Sequence, residues 1–360
     1  MTQSVVVHGH FYQPPRANPW TGVVDREPSA APFHDWNQRI ESECYAPMAG
    51  ARVLGADGSV AHRDNLYAAM SFDIGPTLFE WMERSAPATY AAILDADRIS
   101  VARLGHGNAI AMPYHHTILP LASRRDKVTE VKWGIADFRR RFAREPEGMW
   151  LPETACDDQT LEVLAEAGIL FTVLAPHQVE ARNPSGLPLS FRAGKGRTIA
   201  LCVYDGETSG GIAFGPLLTD GALLARRLAP GAGGAGGASD DNEAKDVALT
   251  AAVVDGETFG HHHHFGEMAL ARALRIVGEG NGVRIENFAS FLARNPPTDD
   301  AILVSPSSWS CSHGVERWRS ECGCRMTPGD GTSQAWRGSL RDALDWLARE
   351  LHEIFAREGC

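Results

Sequence analysis

Four apolar runs of strand length in this chain end in polar residues that are costly to bury. The first ends in His8-Gly9-His10 and continues through Tyr12-Gln13. Another ends in Trp150-Leu151-Pro152-Glu153, a third in Tyr204-Asp205-Gly206-Glu207, and the fourth in Asp255-Gly256-Glu257, trailed by His261–His264. Parallel α/β folds build their sites at the carboxyl ends of strands. A single acid at a strand end is ordinarily a helix cap or a solvated loop residue. Four such ends carrying carboxylates, imidazoles and indoles point instead to one shared cavity, and aromatic faces beside hydrogen-bonding groups suit sugar rings, which are apolar on one face and polar at the rim.

Glycosidic cleavage requires one carboxylate that forms or stabilises a glycosyl intermediate and a second carboxyl that keeps its proton near neutral pH. Glu153 and Asp255, from different strands, form such a pair. On local chemistry alone Glu207 and Glu257 compete for the same roles.

The elements that must position these groups have a regular rhythm. Strand-like runs at Ser4–Val7, Met149–Leu151, Ile169–Leu174, Thr198–Tyr204, Ala248–Val254 and Ile302–Val304 alternate with helical patterns, which predicts a parallel sheet or barrel. Val128, Val131, Ile135, Phe138 and Phe142 recur at steps of three and four, giving a helix over Asp126–Ala143 with its apolar face on the sheet. Asp157 or Asp158 caps a second helix carrying Leu161 and Leu164. The run Pro230–Ala238, PGAGGAGGA, has too little apolar surface to pack and reads as a mobile surface loop inserted within a domain. After about Pro297 the texture changes to a Trp- and Cys-rich stretch. A helix with Leu340, Leu344, Leu347, Leu351 and Phe355 on one stripe follows it. Residues 1–296 are thus read as the main domain and 297–360 as the start of a mainly helical C-terminal region, either truncated or docking back on the first.

With 360 residues, 44% hydrophobic and 22% charged, the chain can bury one large core. Its net charge of -11 argues against nucleic acid or an anionic membrane as partner. The first residues carry no basic and apolar leader pattern, and seven cysteines are too sparse for a disulfide scaffold, so a soluble, cytoplasmic protein is expected.

The strings HGHFYQPP near the start, PYHHTILPL at Pro113–Leu121, GMWLPE at Gly148–Glu153 and DGETFG at Asp255–Gly260 occur in that order. They resemble successive motifs of glycoside hydrolase family 57 over roughly residues 5–290. The tail, with Ser308-Trp309-Ser310-Cys311-Ser312-His313-Gly314 and Cys322-Gly323-Cys324, is similar to an α-amylase/α-mannosidase-like branch of that family in which the barrel is joined to a DUF3536 domain. The resemblance implies a (β/α)7 barrel, a retaining double displacement on α-glucans, Glu153 as nucleophile and Asp255 as acid/base, with no cofactor. It also implies His10 in the site. Substrate contacts are expected from His8, His10, Gln13, Asn108, His116, Trp150, Asp205, Glu257, His262 and Trp309, with an oligo- or polysaccharide as partner. Two departures touch these contacts and not the catalytic pair: Asn108 stands where many members carry Glu, and the first motif is stretched.

Cys311, His313, Cys322 and Cys324 are four soft or borderline ligands compatible with structural zinc, in a spacing that matches no standard motif. Separate buried thiols are the plainer reading. Trp309, Trp318 and Trp336 are either a sugar platform or inter-domain core. Two rival functions remain: a metal-dependent deacetylase or α-mannosidase holding zinc through His8, His10 and Asp255, and an inactive carbohydrate-binding barrel.

Overall fold

The computed structural model describes residues 2–181, 186–230, 247–280, 282–325, 329 and 331–359. The strands are β1 Thr2–Phe11, β2 Ala51–Leu54, β3 Val60–Asp64, β4 Ser71–Ile74, β5 Phe171–Leu174, β6 Val179–Glu180, β7 Leu189–Arg192, β8 Thr198–Val203, β9 Val247–Asp255, β10 Val283–Ile285 and β11 Ile302–Leu303.

Parallel pairing runs around a ring. β9 pairs β1 and β1 pairs β4. Single parallel bridges then carry the ladder from Phe72 to Ala109, from Ala111 to Met149 and from Gly148 to Phe171. β5 pairs β8, and the seam back to β9 is crossed by the Asp205 N–H donating to Ala251 O at 2.8 Å. Seven parallel segments therefore enclose a lumen, as expected for a (β/α)7 barrel. Segment 148–150 overlaps the strand expected at Met149–Leu151, whereas β4 and 109–111 were not among the expected strands.

The side-chain period of two divides each strand between two cores. Val6, Ile110, Met112, Trp150, Phe171, Val173, Ala200, Cys202, Ala251 and Val253 fill the lumen. Val5, Val7, Leu174, Leu201, Val203, Ala252 and Val254 face outward into the layer beneath the helices. The uninterrupted Val5-Val6-Val7 run is explained by this double burial, since a parallel strand covered on both faces has no polar side.

Among the covering helices, Arg124–Phe142 buries Val131, Ile135 and Phe138 as its periodicity predicts. It starts two residues before the expected Asp126, because Ser123 accepts from the Asp126 N–H. Asp157 caps Asp158–Glu166 through the Thr160 N–H. Gly134 is where the first of these helices meets the barrel: a β-carbon there would lie 2.0 Å from Met112 O.

The chain after Pro297 returns to the barrel. β11 pairs antiparallel with β6, Ser307 bridges Cys156, and the Trp309 N–H donates to Glu153 O. Helix Trp336–Glu358 carries the expected leucine stripe, yet none of its residues is buried. It is tied down by His352 Nε2 at 2.9 Å from Asp126 Oδ1 and by Arg125 over the Phe355 ring. No helix among the described residues is long and apolar enough to cross a membrane. The glycine-rich segment beyond Pro230 lies outside the described residues.

Gly134→Ala should lower stability by about 1–3 kcal/mol, because a backbone carbonyl cannot step aside for a methyl group. Gly210→Ala, with open space at its β-carbon, should be neutral or slightly stabilising. Urea melts of the two variants check this, and equal midpoints would contradict the packing.

Candidate active site

Register places the polar rungs of the barrel side by side. His10 is level with Asp73 on β4 and with Asp255 on β9. Asp73 is fully buried and takes both imidazoles: His10 Nδ1 lies 2.8 Å from its Oδ2 and His8 Nε2 3.1 Å from its Oδ1. His8 Nδ1 is held by Ser71 Oγ at 3.0 Å. The Trp150 ring stacks on both histidines at 5.1 Å, and Tyr12 stacks on His116 at 4.0 Å. His10 Nε2 is 3.3 Å from His116 Nε2. Burial pushes the His10 imidazole down to about 4 and the Asp73 carboxyl up to about 6. Burial and the neighbouring His10 likewise hold His116 well below the ordinary histidine value. These imidazoles are therefore neutral near pH 7 and act as fixed hydrogen-bonding groups.

Above this floor opens a cavity of about 1700 Å³ lined by Glu153, Asp255, Tyr204, His177, His262, Ser310 and Arg317, with Trp133, Trp309, Trp318 and Trp336 around it. Small-molecule pockets usually measure about 300–1,000 Å³, so this one has room for several sugar rings. The three tryptophans whose role sequence left open are all on its wall.

Glu153 sits at the end of its short strand in a left-handed conformation, φ 59°, and Thr154 follows with φ 47°. Such backbone is strained in residues other than glycine. It is held by a compact set of bonds. Gln178 accepts from Thr154 Oγ1 and donates to Thr154 O, both at 2.8 Å, while the Trp309 N–H donates to Thr154 Oγ1 at 2.9 Å. The kink turns the Glu153 carboxylate so that Oε2 accepts from Trp309 Nε1 at 3.1 Å and from Ser310 Oγ. Among the described residues no protein donor reaches its other oxygen.

Asp255 is open to the cavity but hemmed in by protein on its other sides. That enclosure raises its proton affinity, as do the charges of Glu153 and Asp73, while His10 opposes the rise. The two rival acids are set apart. Glu207 is almost fully exposed and pairs with Arg227 at 3.0 Å, outside the cavity. Glu257 is buried behind Asp255, accepts from the Tyr45 hydroxyl at 2.5 Å and the Tyr12 N–H at 3.2 Å, and is pushed up to about 8 by burial.

Several expected substrate contacts have other duties. His8 and Trp150 are completely buried in the lumen, beneath the cavity. Asn108 is also buried, donating to Tyr67 O and accepting from Asn287, so the departure at that position affects packing and not a sugar contact. Asp205 caps helix Gly206–Ala213 through the Thr208 N–H and hydroxyl. Glu257 is a buried wall residue, and Gln13 accepts from Arg16 at 2.9 Å away from the cavity. Of the four consecutive histidines, His262 lines the cavity. His261 pairs with Glu43, and His263 binds Ala213 O.

Sequence reasoning missed Asp73, Ser310 and His177. Asp73 had a signal, an acid inside the apolar run Met70–Ile74. Ser310 and His177 had none, because their relevance depends on the returning chain: His177 Nε2 is 3.0 Å from Ser308 O. The metal rival also loses its ligand set, since both His8 ring nitrogens are engaged by Ser71 and Asp73 deep in the lumen.

With paired carboxylates at the mouth of a parallel barrel, the molecule has the architecture of a carbohydrate-active α/β barrel. The sequence model of glycosyl hydrolase family 57 matches residues 39–299, and the chain belongs to that family. Curated relatives include alpha-amylase 1 of Dictyoglomus thermophilum, 27% identical over 97 residues, and an alpha-amylase of Pyrococcus horikoshii, 28% identical over 101 residues. These matches span 27% and 28% of this chain but only 13% and 15% of those relatives. Among solved structures, an exo-type maltose-forming amylase from a Pyrococcus species superposes with TM-score 0.74 at 17% identity, covering 100% of this chain and 65% of that one. A 4-alpha-glucanotransferase from Thermococcus litoralis superposes at 0.61 and 17% identity, covering 90% of this chain and 44% of that one. At these identities the likeness is one of fold.

The buried Glu257 gives a stability test. Its folded pKa, about 8, lies above the unfolded value near 4.5. Its contribution is therefore complete below about pH 4.5 and is lost as pH rises through about 8, at no more than ~1.4 kcal/mol per pH unit. Glu257→Gln keeps an acceptor for Tyr45 and cannot ionise, so its melting temperature should fall less than the parent's between pH 5 and pH 9. Parallel melting curves across that range would contradict the assignment.

Proposed function

We propose that this chain is a retaining glycoside hydrolase or glucanotransferase acting on α-linked glucans, with Glu153 as nucleophile and Asp255 as acid/base. The observation that carries the reading is the unlike treatment of two carboxyls in one aromatic cavity. Glu153 has one oxygen fixed by Trp309 and Ser310, while Asp255 has its proton affinity raised by enclosure and by Glu153 itself. Two carboxyls held so differently suit a division of labour between attack and proton transfer. Family membership agrees with it.

In the first step the free oxygen of Glu153 bonds to the anomeric carbon, the glycosidic bond breaks, and Asp255 gives its proton to the departing oxygen. In the second, the Asp255 carboxylate takes a proton from water or from a sugar hydroxyl. The oxygen so activated displaces Glu153 from the anomeric carbon, restoring the starting configuration. Water yields hydrolysis and a sugar hydroxyl yields transfer. His10 and His116, stacked beneath the cavity and joined through their Nε2 atoms, brace its floor as neutral groups.

Incubation with maltooligosaccharides, glycogen and α-mannosides, followed by NMR of the products, tests substrate class and stereochemistry together. Products of retained configuration are expected, and inverted products would overturn the nucleophilic role. Glu153→Gln should lose at least about 10³-fold in kcat with the fold intact by circular dichroism, since it preserves shape and removes the attacking charge. Asp255→Asn should be impaired far more on natural glucans than on aryl glycosides whose leaving group needs no proton. The alkaline limb of kcat/KM should lie above the ordinary aspartate range and follow Asp255. If it is unmoved when Asp255 is replaced, the acid lies elsewhere.

A further inference from the structure

We propose that Cys311, His313, Cys322 and Cys324 form a structural zinc site that fixes the turn carrying Trp309 and Ser310 against Glu153. One ligand atom from each residue lies within 4.8 Å of all the others. Cys311 Sγ is 3.9 Å from Cys322 Sγ, and Cys324 Sγ is 3.5 Å from His313 Nδ1. Tetrahedral zinc, with bonds of about 2.3 Å to sulfur and 2.0–2.1 Å to nitrogen, separates two sulfurs by about 3.8 Å and a sulfur from a nitrogen by about 3.6 Å. Two edges of the cluster match those of such a tetrahedron and the others stay within 4.8 Å, and 3.9 Å is far beyond a disulfide bond of about 2.05 Å.

The donor set is three thiols and an imidazole, which selects a borderline-soft ion over calcium or magnesium. Gly323, with φ +87°, separates Cys322 from Cys324, and a β-carbon there would meet nothing within 4 Å. The left-handed turn needed to aim two sulfurs at one point is therefore free of strain.

The local fold has little else to hold it. From Val304 to Ala335, among the described residues, only Ser307, Ser308, Cys311 and Val315 are buried. A stretch with so small a core is the usual setting for a metal staple. Ser310 adjoins Cys311, and Ser308 pairs with Cys311 across the turn. A metal at Cys311 would thus clamp the backbone whose side chains hold Glu153 Oε2. With four protein ligands the site is closed and has no open position for substrate or water.

The test uses the full chain purified under reducing conditions without added metal. Elemental analysis should find one zinc per chain, and Cys322→Ser/Cys324→Ser should find less than about a tenth of that. Cobalt reconstitution of the parent should give the visible bands of a tetrahedral thiolate complex, a readout that holds even if the double variant fails to fold. Stripping the metal should raise amide exchange at Trp309 and Ser310 by about tenfold or more. Absence of stoichiometric metal both as isolated and after zinc addition, or a Cys311–Cys322 disulfide by mass spectrometry of the unreduced protein, overturns the site. Unchanged exchange at Trp309 overturns the clamp. None of these measurements depends on whether the chain cleaves glucans.

Discussion

Two consecutive residues in left-handed backbone, Glu153 and Thr154, are the constraint on which the rest of the site depends. Each costs of order 1–3 kcal/mol relative to relaxed backbone, and neither is a glycine. The conformation persists because Gln178 and the Trp309 amide saturate Thr154, while Trp309 and Ser310 take hold of the Glu153 carboxylate. The barrel supplies a rigid rim, and the returning chain converts that rim into a site.

The second dependence is electrostatic. A carboxyl in the lumen, Asp73, is tolerable because two imidazoles satisfy it. In doing so it orients His10 with Nε2 toward His116. The floor therefore contributes orientation with little net charge. Asp255, one rung across from His10, is left with Glu153 as the neighbour that raises its proton affinity from within the cavity. Glu257 behind it, protonated near neutrality, spares the site a third negative charge.

Much of this was legible in the sequence, for identifiable reasons. The Val5–Val7 run, the Val128–Phe142 periodicity and the polar strand ends are local patterns, and they located β1, the long helix and the mouth of the barrel. Short motifs drew attention to Glu153 and Asp255, and both line the cavity. What sequence could not separate was inward from sideways at a strand end. Asp205 and Glu207 share a tetrapeptide with Tyr204, yet one caps a helix, the next faces solvent and the tyrosine lines the cavity. His8 and His10 both proved to be floor residues that share Asp73, and nothing local in the sequence told floor from wall. Two barrel segments escaped notice, β4 and 109–111, because each is only three or four residues long, shorter than a periodicity test can resolve.

The order of the elements along the chain has a consequence for how the protein comes into being. All seven segments of the ring have emerged by Asp255, whereas Trp309 and Ser310 follow more than fifty residues later. During synthesis a barrel can close, with its lumen filled and Asp73 paired, while the kink at Glu153 still lacks its partners. Domains form as units from the amino-terminal side as they leave the ribosome. The order of the chain thus lets a closed barrel precede the turn that holds the Glu153 carboxylate.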